Sequence, residues 1–231
     1  MASILFGNGV AGIKGSQAGT TYSQNANGAY TRNRTKPTNP KTSAQVNQRA
    51  LLTGLSSAWR NLSAGERQTF IDGAPNFPYT NRLGQRSTYT GPQLYNKLNL
   101  ALLSAGQPAI NRCPSPQAFP SLGSGALSIT TDGTTLTATV FFDNTFTNDF
   151  TCQAFASVGV SAGRNATSTP KKLVRTVLGS GSNAVPFGPG YVSVYGLPAV
   201  GENIVVEIKI TNNSTGQQTT IFTGSAVVAE A

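Results

Sequence analysis

Residues 12–49, GIKGSQAGTTYSQNANGAYTRNRTKPTNPKTSAQVNQR, are too polar to build a core of their own. The stretch holds four glycines (Gly12, Gly15, Gly19, Gly28), two prolines and many Ser, Thr and Asn. Six cations, Lys14, Arg32, Arg34, Lys36, Lys41 and Arg49, stand in it with no acid among them. Fixing the backbone costs about 1–2 kcal/mol per residue, and a segment with so little apolar surface has no burial to set against that cost. The sequence therefore predicts an extended basic arm over residues 1–41, ordered by a partner. Tyr22 and Tyr30, eight residues apart, are the expected anchors, and Arg32, Arg34, Lys36 and Arg49 are the cations expected to meet an acidic neighbour.

The charge is divided along the chain. Residues 1–112 carry 12 Lys and Arg against Glu66 and Asp72, a balance of +10, and residues 113–231 carry 5 against 6, a balance of −1. The basicity belongs to the front half, where an acidic protein surface, nucleic acid or a solvated face each remains compatible with it. At 231 residues with 38% hydrophobic content the chain has room for two modest units. Charged residues make up only 11%, a composition that suits packing against other protein. The start, MASILFGNGV, has an apolar run of three and no basic leader, so no signal peptide is expected, and no window approaches a membrane span.

Taken in order, residues 3–10 suggest a short strand with Ile4 and Phe6 on one face, closed by Gly7-Asn8-Gly9. Pro37 and Pro40 hold the chain extended before a helix. Thr42 with Gln45 fits a capping box, and Val46, Ala50, Leu51, Leu55, Ala58, Trp59 and Leu62 recur at helical spacing. Ser63 with Glu66 is a second box, opening a short helix through Phe70 and Ile71 that Asp72-Gly73 ends. The pair reads as a packed hairpin of helices with Trp59 and Phe70 in its seam. The rival reading, a DNA-binding helix-turn-helix, has only Arg67 and Gln68 to offer as base readers.

Residues 75–91 predict a β-hairpin, with Phe77 and Tyr79 on one arm, Thr88 and Tyr89 on the other, and Arg82-Leu83-Gly84-Gln85 at the turn. Thr90 with Gln93 opens a third helix carrying Leu94, Leu98, Ala101 and Leu102, with Gly106 placed to end it. Four prolines and little periodicity mark residues 108–125 as a linker. From Ala126 the pattern alternates. Leu127 to Thr130 and Leu136 to Val140 flank a two-residue turn signal at Asp132-Gly133, and further strand-like runs cover 150–160, 172–178, 191–195, 203–211 and 221–228. Seven short strands point to an immunoglobulin-like sandwich, without the Cys–Trp–Cys core of antibody domains.

The fold class expected is thus α+β: an N-terminal extended arm (1–41), a small helical and β-hairpin domain (42–107), a Pro-rich linker (108–125) and an all-β immunoglobulin-like sandwich (126–231).

The chemistry-bearing residue types are sparse. There is no histidine in the chain, which removes the usual base for Ser or Cys nucleophiles and the commonest metal ligand. Cys113 and Cys152 have no framework spacing and are expected to be free. Asp143 and Asp149, six residues apart, read as a solvated loop, with acid–base work or cation binding as the alternative. Gly179-Ser-Gly-Ser and Gly188-Pro-Gly190 lack the lysine and helix start of a phosphate loop and read as turns. The Asn-x-Ser/Thr triplets at Asn61, Asn165, Asn212 and Asn213 carry no weight outside a eukaryotic secretory setting. No catalytic residue, metal site or cofactor is expected.

One resemblance bears on the setting. It is carried by Gly15-Ser16, Gly19, Tyr22-Ser23, Gly28-Ala29-Tyr30, Arg32, Arg34 and Pro37-Thr-Asn-Pro40 leading into Gln45 and Arg49. It continues through Ser57-Ala-Trp59-Arg60, Leu62-Ser63, Arg67, Pro78-Tyr79-Thr, Asn81-Arg82-Leu83-Gly84, Leu94-Tyr95 and Leu98-Asn99. Over about residues 3–108 the chain resembles a group of bacteriophage and prophage proteins from hosts of the Bacteroidetes type, a group without a settled activity. The resemblance implies a virion setting. The expectation is a non-enzymatic structural protein, capsid-associated or in the tail, whose partners are other virion proteins or copies of itself, with no membrane. A nucleic-acid-binding protein and a host-surface or glycan-binding module are the alternatives.

Overall fold

The structure, a computed structural model, describes residues 2, 3, 7, 9, 10, 12–25, 28–81, 84–161, 163, 164 and 169–231. The chain is mixed α+β and divides into two compact units, Met1–Val46 and Asn47–Ala231. The first unit is not the extended arm that its composition predicts. It holds four strands, β1 (Ala2–Ser3), β2 (Gly15–Gln17), β3 (Thr20–Asn25) and β4 (Gly28–Asn33), in the antiparallel order β1-β4-β3-β2. Thr, Tyr and Asn in alternation satisfy their backbone groups by pairing with one another, which needs no apolar core. The strand expected over residues 3–10 is represented by β1, and Ile4, Leu5, Phe6 and Asn8 lie outside the described residues.

α1 (Ser43–Asn61) starts where the first capping box places it, with the Gln45 N–H donating to Thr42 Oγ1 and the Val46 N–H to the Thr42 carbonyl. α2 (Ala64–Gly73) is opened by Ser63, whose hydroxyl accepts from the Glu66 N–H while the Ser63 N–H donates to the Glu66 carboxylate. A 3-10 turn and the short hairpin of β5 (Tyr79–Thr80) and β6 (Arg86–Ser87) lead to α3 (Gly91–Ser104). Of the hairpin turn, Arg82 and Leu83 lie outside the described residues. α3 ends at Gly106 as expected: the Gly106 N–H donates to the Leu103 carbonyl and the Gln107 N–H to that of Leu102. Phe70, Leu94, Tyr95 and Leu98 form the centre of this helical core, with Trp59 meeting Phe70 edge-on at 6.0 Å. Each such side chain contributes about 1.5–3 kcal/mol by leaving water.

The segment 108–125 is ordered by side chains rather than by repetitive structure, and it is no free tether. Its backbone finds partners on both flanks: Cys113 N–H donates to Thr69 Oγ1, Gln117 N–H to Gln217 Oε1, and Leu122 is buried in the sandwich core. Consequently the helices and the sandwich share one unit instead of being separate domains.

Residues 125–230 form two sheets around one core. The first has the order β12 (Ala184–Pro186), β8 (Leu136–Phe142), β7 (Gly125–Thr131) and β15 (Ala229–Glu230), the last pairing parallel to β7. In the second, β13 (Glu202–Asn212) is central. It pairs on one side with β14 (Gln218–Val227) and on the other with β9 (Phe150–Ser157) followed by β10 (Val160–Ser161); β11 (Lys171–Leu178) lies outside β9. Alternation decides the faces: Leu136, Ala138, Val140 and Phe142 of β8 are buried while Thr137 and Phe141 are exposed.

Two local expectations are corrected. Residues 191–195 are not a strand but part of α4 (Gly188–Tyr195), which starts with Pro189 in its first turn. Gly188 lies so close to the Leu136 carbonyl that no Cβ fits. Tyr191 then fills the core and Tyr195 Oη donates to the Ala156 carbonyl at 2.9 Å. The connection at Asp132-Gly133 is a four-residue loop, since Thr131 pairs with Leu136. In it the Asp132 carboxylate accepts from the N–H and hydroxyl of both Thr134 and Thr135.

Candidate assembly surface

In the four-stranded sheet of the first unit, no residue of β2, β3 or β4 is buried. Tyr22 lies opposite Thr31 and Tyr30 opposite Ser23, so the two tyrosines occupy opposite faces of the hairpin. Both are half-buried. Tyr30 and Arg32, two residues apart on β4, share a face, and Arg32 is exposed. Arg34 extends the pairing by one bond, its N–H donating to the Gly19 carbonyl at 2.8 Å, and it is exposed like Lys36 in the extended segment that follows.

Within residues 1–46 there is no acidic side chain for Lys14, Arg32, Arg34, Lys36 or Lys41 to pair with. Those five cations therefore present an uncompensated positive field to whatever lies beside them. Arg49 is exposed on α1 in the second unit, so the structure brings five of the six expected contact residues into one unit and leaves Arg49 in the other.

A feature that sequence periodicity obscured lies at the start of α1. The apolar stripe reads continuously from Val46 to Leu62, yet residues 43–50 are all exposed and Leu55 is the only buried residue of the helix. Val46 is 47% exposed and Leu52 46%. Within the second unit, a groove of about 610 Å³ runs between Leu51, Gly54 and Ala58 of α1 and Leu103 and Ala109. Spacing alone does not tell a stripe that is covered from one that is not.

The rival chemistries find little support. In α2, Gln68 spends its amide on the Asp72 carboxylate at 2.8 Å. Asp143 accepts from the Ser124 N–H and hydroxyl, which holds its carboxyl below the usual range, and Asp149 accepts from Thr147 Oγ1. Burial pushes the Cys152 thiol up to about 12 and raises that of Cys113, away from thiolate reactivity at neutral pH. Both cysteines are free, as expected. Among the described residues no three of His, Cys, Asp and Glu cluster, and no helix is long and apolar enough to cross a membrane.

The sequence matches no protein-family model and no curated protein.

Proposed function

We propose that this chain is a non-enzymatic structural protein of a bacteriophage virion, a capsid decoration or tail component, attached through its basic N-terminal residues. The observation that carries the reading is a sheet of which β2, β3 and β4 hold no buried residue, in a stretch of five cations and no acid. A small sheet whose strands β2, β3 and β4 bury nothing is marginal in water, so it has the character of a surface completed by a neighbour, and its charge selects an acidic one. The phage setting comes from the resemblance of residues 3–108. The absence of histidine from the chain and the raised thiols support a non-catalytic role.

The part presented outward is a sandwich of immunoglobulin-like type. Its strand order supports this: β8 lies between β7 and β12 in one sheet, and β11, β9, β13 and β14 run in that order in the other, joined by a crossover from β8 to β9. The test is incorporation. Chain lacking residues 1–41 is expected to be absent from purified particles while remaining folded; incorporation at the normal copy number overturns the proposal.

The same acid-free stretch favours a second reading, binding to nucleic acid. It predicts affinity for duplex or single-stranded DNA that falls steeply as salt rises. A titration at several salt concentrations separates the two readings.

A further inference from the structure

Two cavities open beside α3, one of about 370 Å³ and one of about 190 Å³, and Lys97 and Gln218 stand in the wall of both. The larger lies against the outer face of the second sheet. Cys152, Ala154, Ile208 and Ile210 point into the core, so alternation turns Gln153, Phe155 and Lys209 outward to line this cavity. Its volume is within the range of small-ligand sites, about 300–1,000 Å³. No residue lining either cavity is acidic.

Two ammonium groups are held in place there. Lys97 Nζ donates to the Tyr89 hydroxyl and stands 4.5 Å from the centre of the Tyr89 ring. Lys209 Nζ stands 4.9 Å from the centre of the Phe155 ring and pairs with Glu207 at 3.4 Å. Glu207 is shared with Lys171, and Lys97 has no carboxylate partner among the described residues. Each ammonium carries three N–H donors, so both lysines keep donors for an anion.

The amides say what else the ligand carries. Gln218 spends both of its N–H groups, on Gln153 Oε1 and Thr211 Oγ1, and can only accept. Gln217 is the reverse: its Oε1 accepts from the Gln117 N–H and the Thr215 hydroxyl, which leaves its Nε2 to donate. Hydroxyl groups, which both donate and accept, satisfy the two together. A nucleobase finds no platform, because Tyr79 stacks on the Tyr89 ring at 4.4 Å, Lys97 caps its other face, and Lys209 covers Phe155. A peptide strand finds no edge to extend, since a sheet presents its face here.

We propose that the cleft beside α3 binds an acidic sugar, with its carboxylate or sulfate on Lys97 and Lys209 and its hydroxyls on Gln217 and Gln218. The inference goes beyond the virion proposal and stands without it.

Calorimetric titration of the full chain tests it, with trigalacturonic acid as the carboxylated probe and a heparin-derived tetrasaccharide as the sulfated one. Maltotriose, hexathymidylate and hexaglutamate are the controls. At least one acidic sugar should bind, about tenfold or more tighter than each control. Lys97→Gln and Lys209→Gln, at an exposed and a half-buried side chain, should each weaken it about tenfold or more with the melting curve unchanged. Binding that both variants leave intact belongs to the five cations of residues 14–41 and overturns the proposal. So does the failure of both acidic sugars to bind, or a control that binds as tightly. Should either variant melt early, the amide chemical shifts of the unmodified chain decide: titration must move those around Lys97 and Lys209, and changes confined to residues 14–41 refute the site.

Discussion

Asn99 and Ile110 hold each other by two hydrogen bonds: Asn99 Nδ2 donates to the Ile110 carbonyl at 3.1 Å, and the Ile110 N–H donates to Asn99 Oδ1 at 2.6 Å. Asn99 is wholly buried on α3, and Ile110 belongs to the segment between the helices and the sandwich. A single amide thus does for this irregular backbone what a neighbouring strand does for a sheet. Asn99→Ala leaves the N–H and carbonyl of half-buried Ile110 without these partners, at about 1–3 kcal/mol in all. Urea denaturation should show a loss of that order, whereas a fall below about 0.5 kcal/mol would mean that the segment does not need the clamp.

Gly216 should tolerate no side chain. It sits at φ +71°, and a Cβ there would collide with the Leu98 carbonyl of α3. The left-handed backbone costs a non-glycine residue about 1–2 kcal/mol, and the collision adds to it. Gly216→Ala is therefore expected to lower the melting temperature more than Gly133→Ala, where the backbone is also left-handed (φ +83°) but the space is open. Equal losses would show that the approach of the loop to α3 is not tight.

The loop after β7 predicts a pH dependence. The Thr135 and Thr134 N–H groups, then their hydroxyls, hold the Asp132 carboxyl well below its ordinary value. A depressed folded-state pKa means that the contribution is present above the unfolded value, about 3.9, and is lost as pH falls through the folded one. Asp132→Asn should be less stable than the parent at pH 7, and the gap between them should narrow below about pH 4. A gap that stays constant down to acid pH contradicts the assignment.

Thiol labelling checks the core. Cys152 is fully buried with its thiol pushed up to about 12, so it should resist a thiol reagent until the sandwich unfolds. Half-buried Cys113 should label in the folded chain, more slowly than a free thiol. Rapid reaction of both would mean that the two sheets part easily.

Deleting residues 1–41 should change the unfolding free energy of the remainder by no more than about 1 kcal/mol, because no residue of the first 46 whose burial is described is buried. A large drop in thermal unfolding would show that this stretch stabilises the rest of the chain.

Local rules made much of this molecule legible in advance. The capping boxes at Ser63 and Thr90 and the Thr42 cap depend on residues three positions apart, and the alternation of β7, β8 and β13 on side chains two apart, so one stretch of chain contains all the information. The cations of the front half were equally plain, since charge is a property of composition. Other features were not local. Tyr22 and Tyr30 parted to opposite faces because register, not spacing, orients them. Residues 191–195 alternate like a strand yet fold as a helix, because Gly188 and Pro189 start a turn whose backbone must lie flat against β8. The segment 108–125 is ordered by Asn99, Thr69 and Gln217, residues 11 to 100 positions away.

By itself, then, the sequence determined where helices begin, which half carries the charge, and that the last hundred residues alternate. Tertiary structure alone decided which apolar stripes are covered, which segment orders residues 108–125, and that a basic sheet precedes the helices. The reason is physical. Capping and alternation act between residues close along the chain, whereas burial and pairing are set by whatever distant segment arrives beside them.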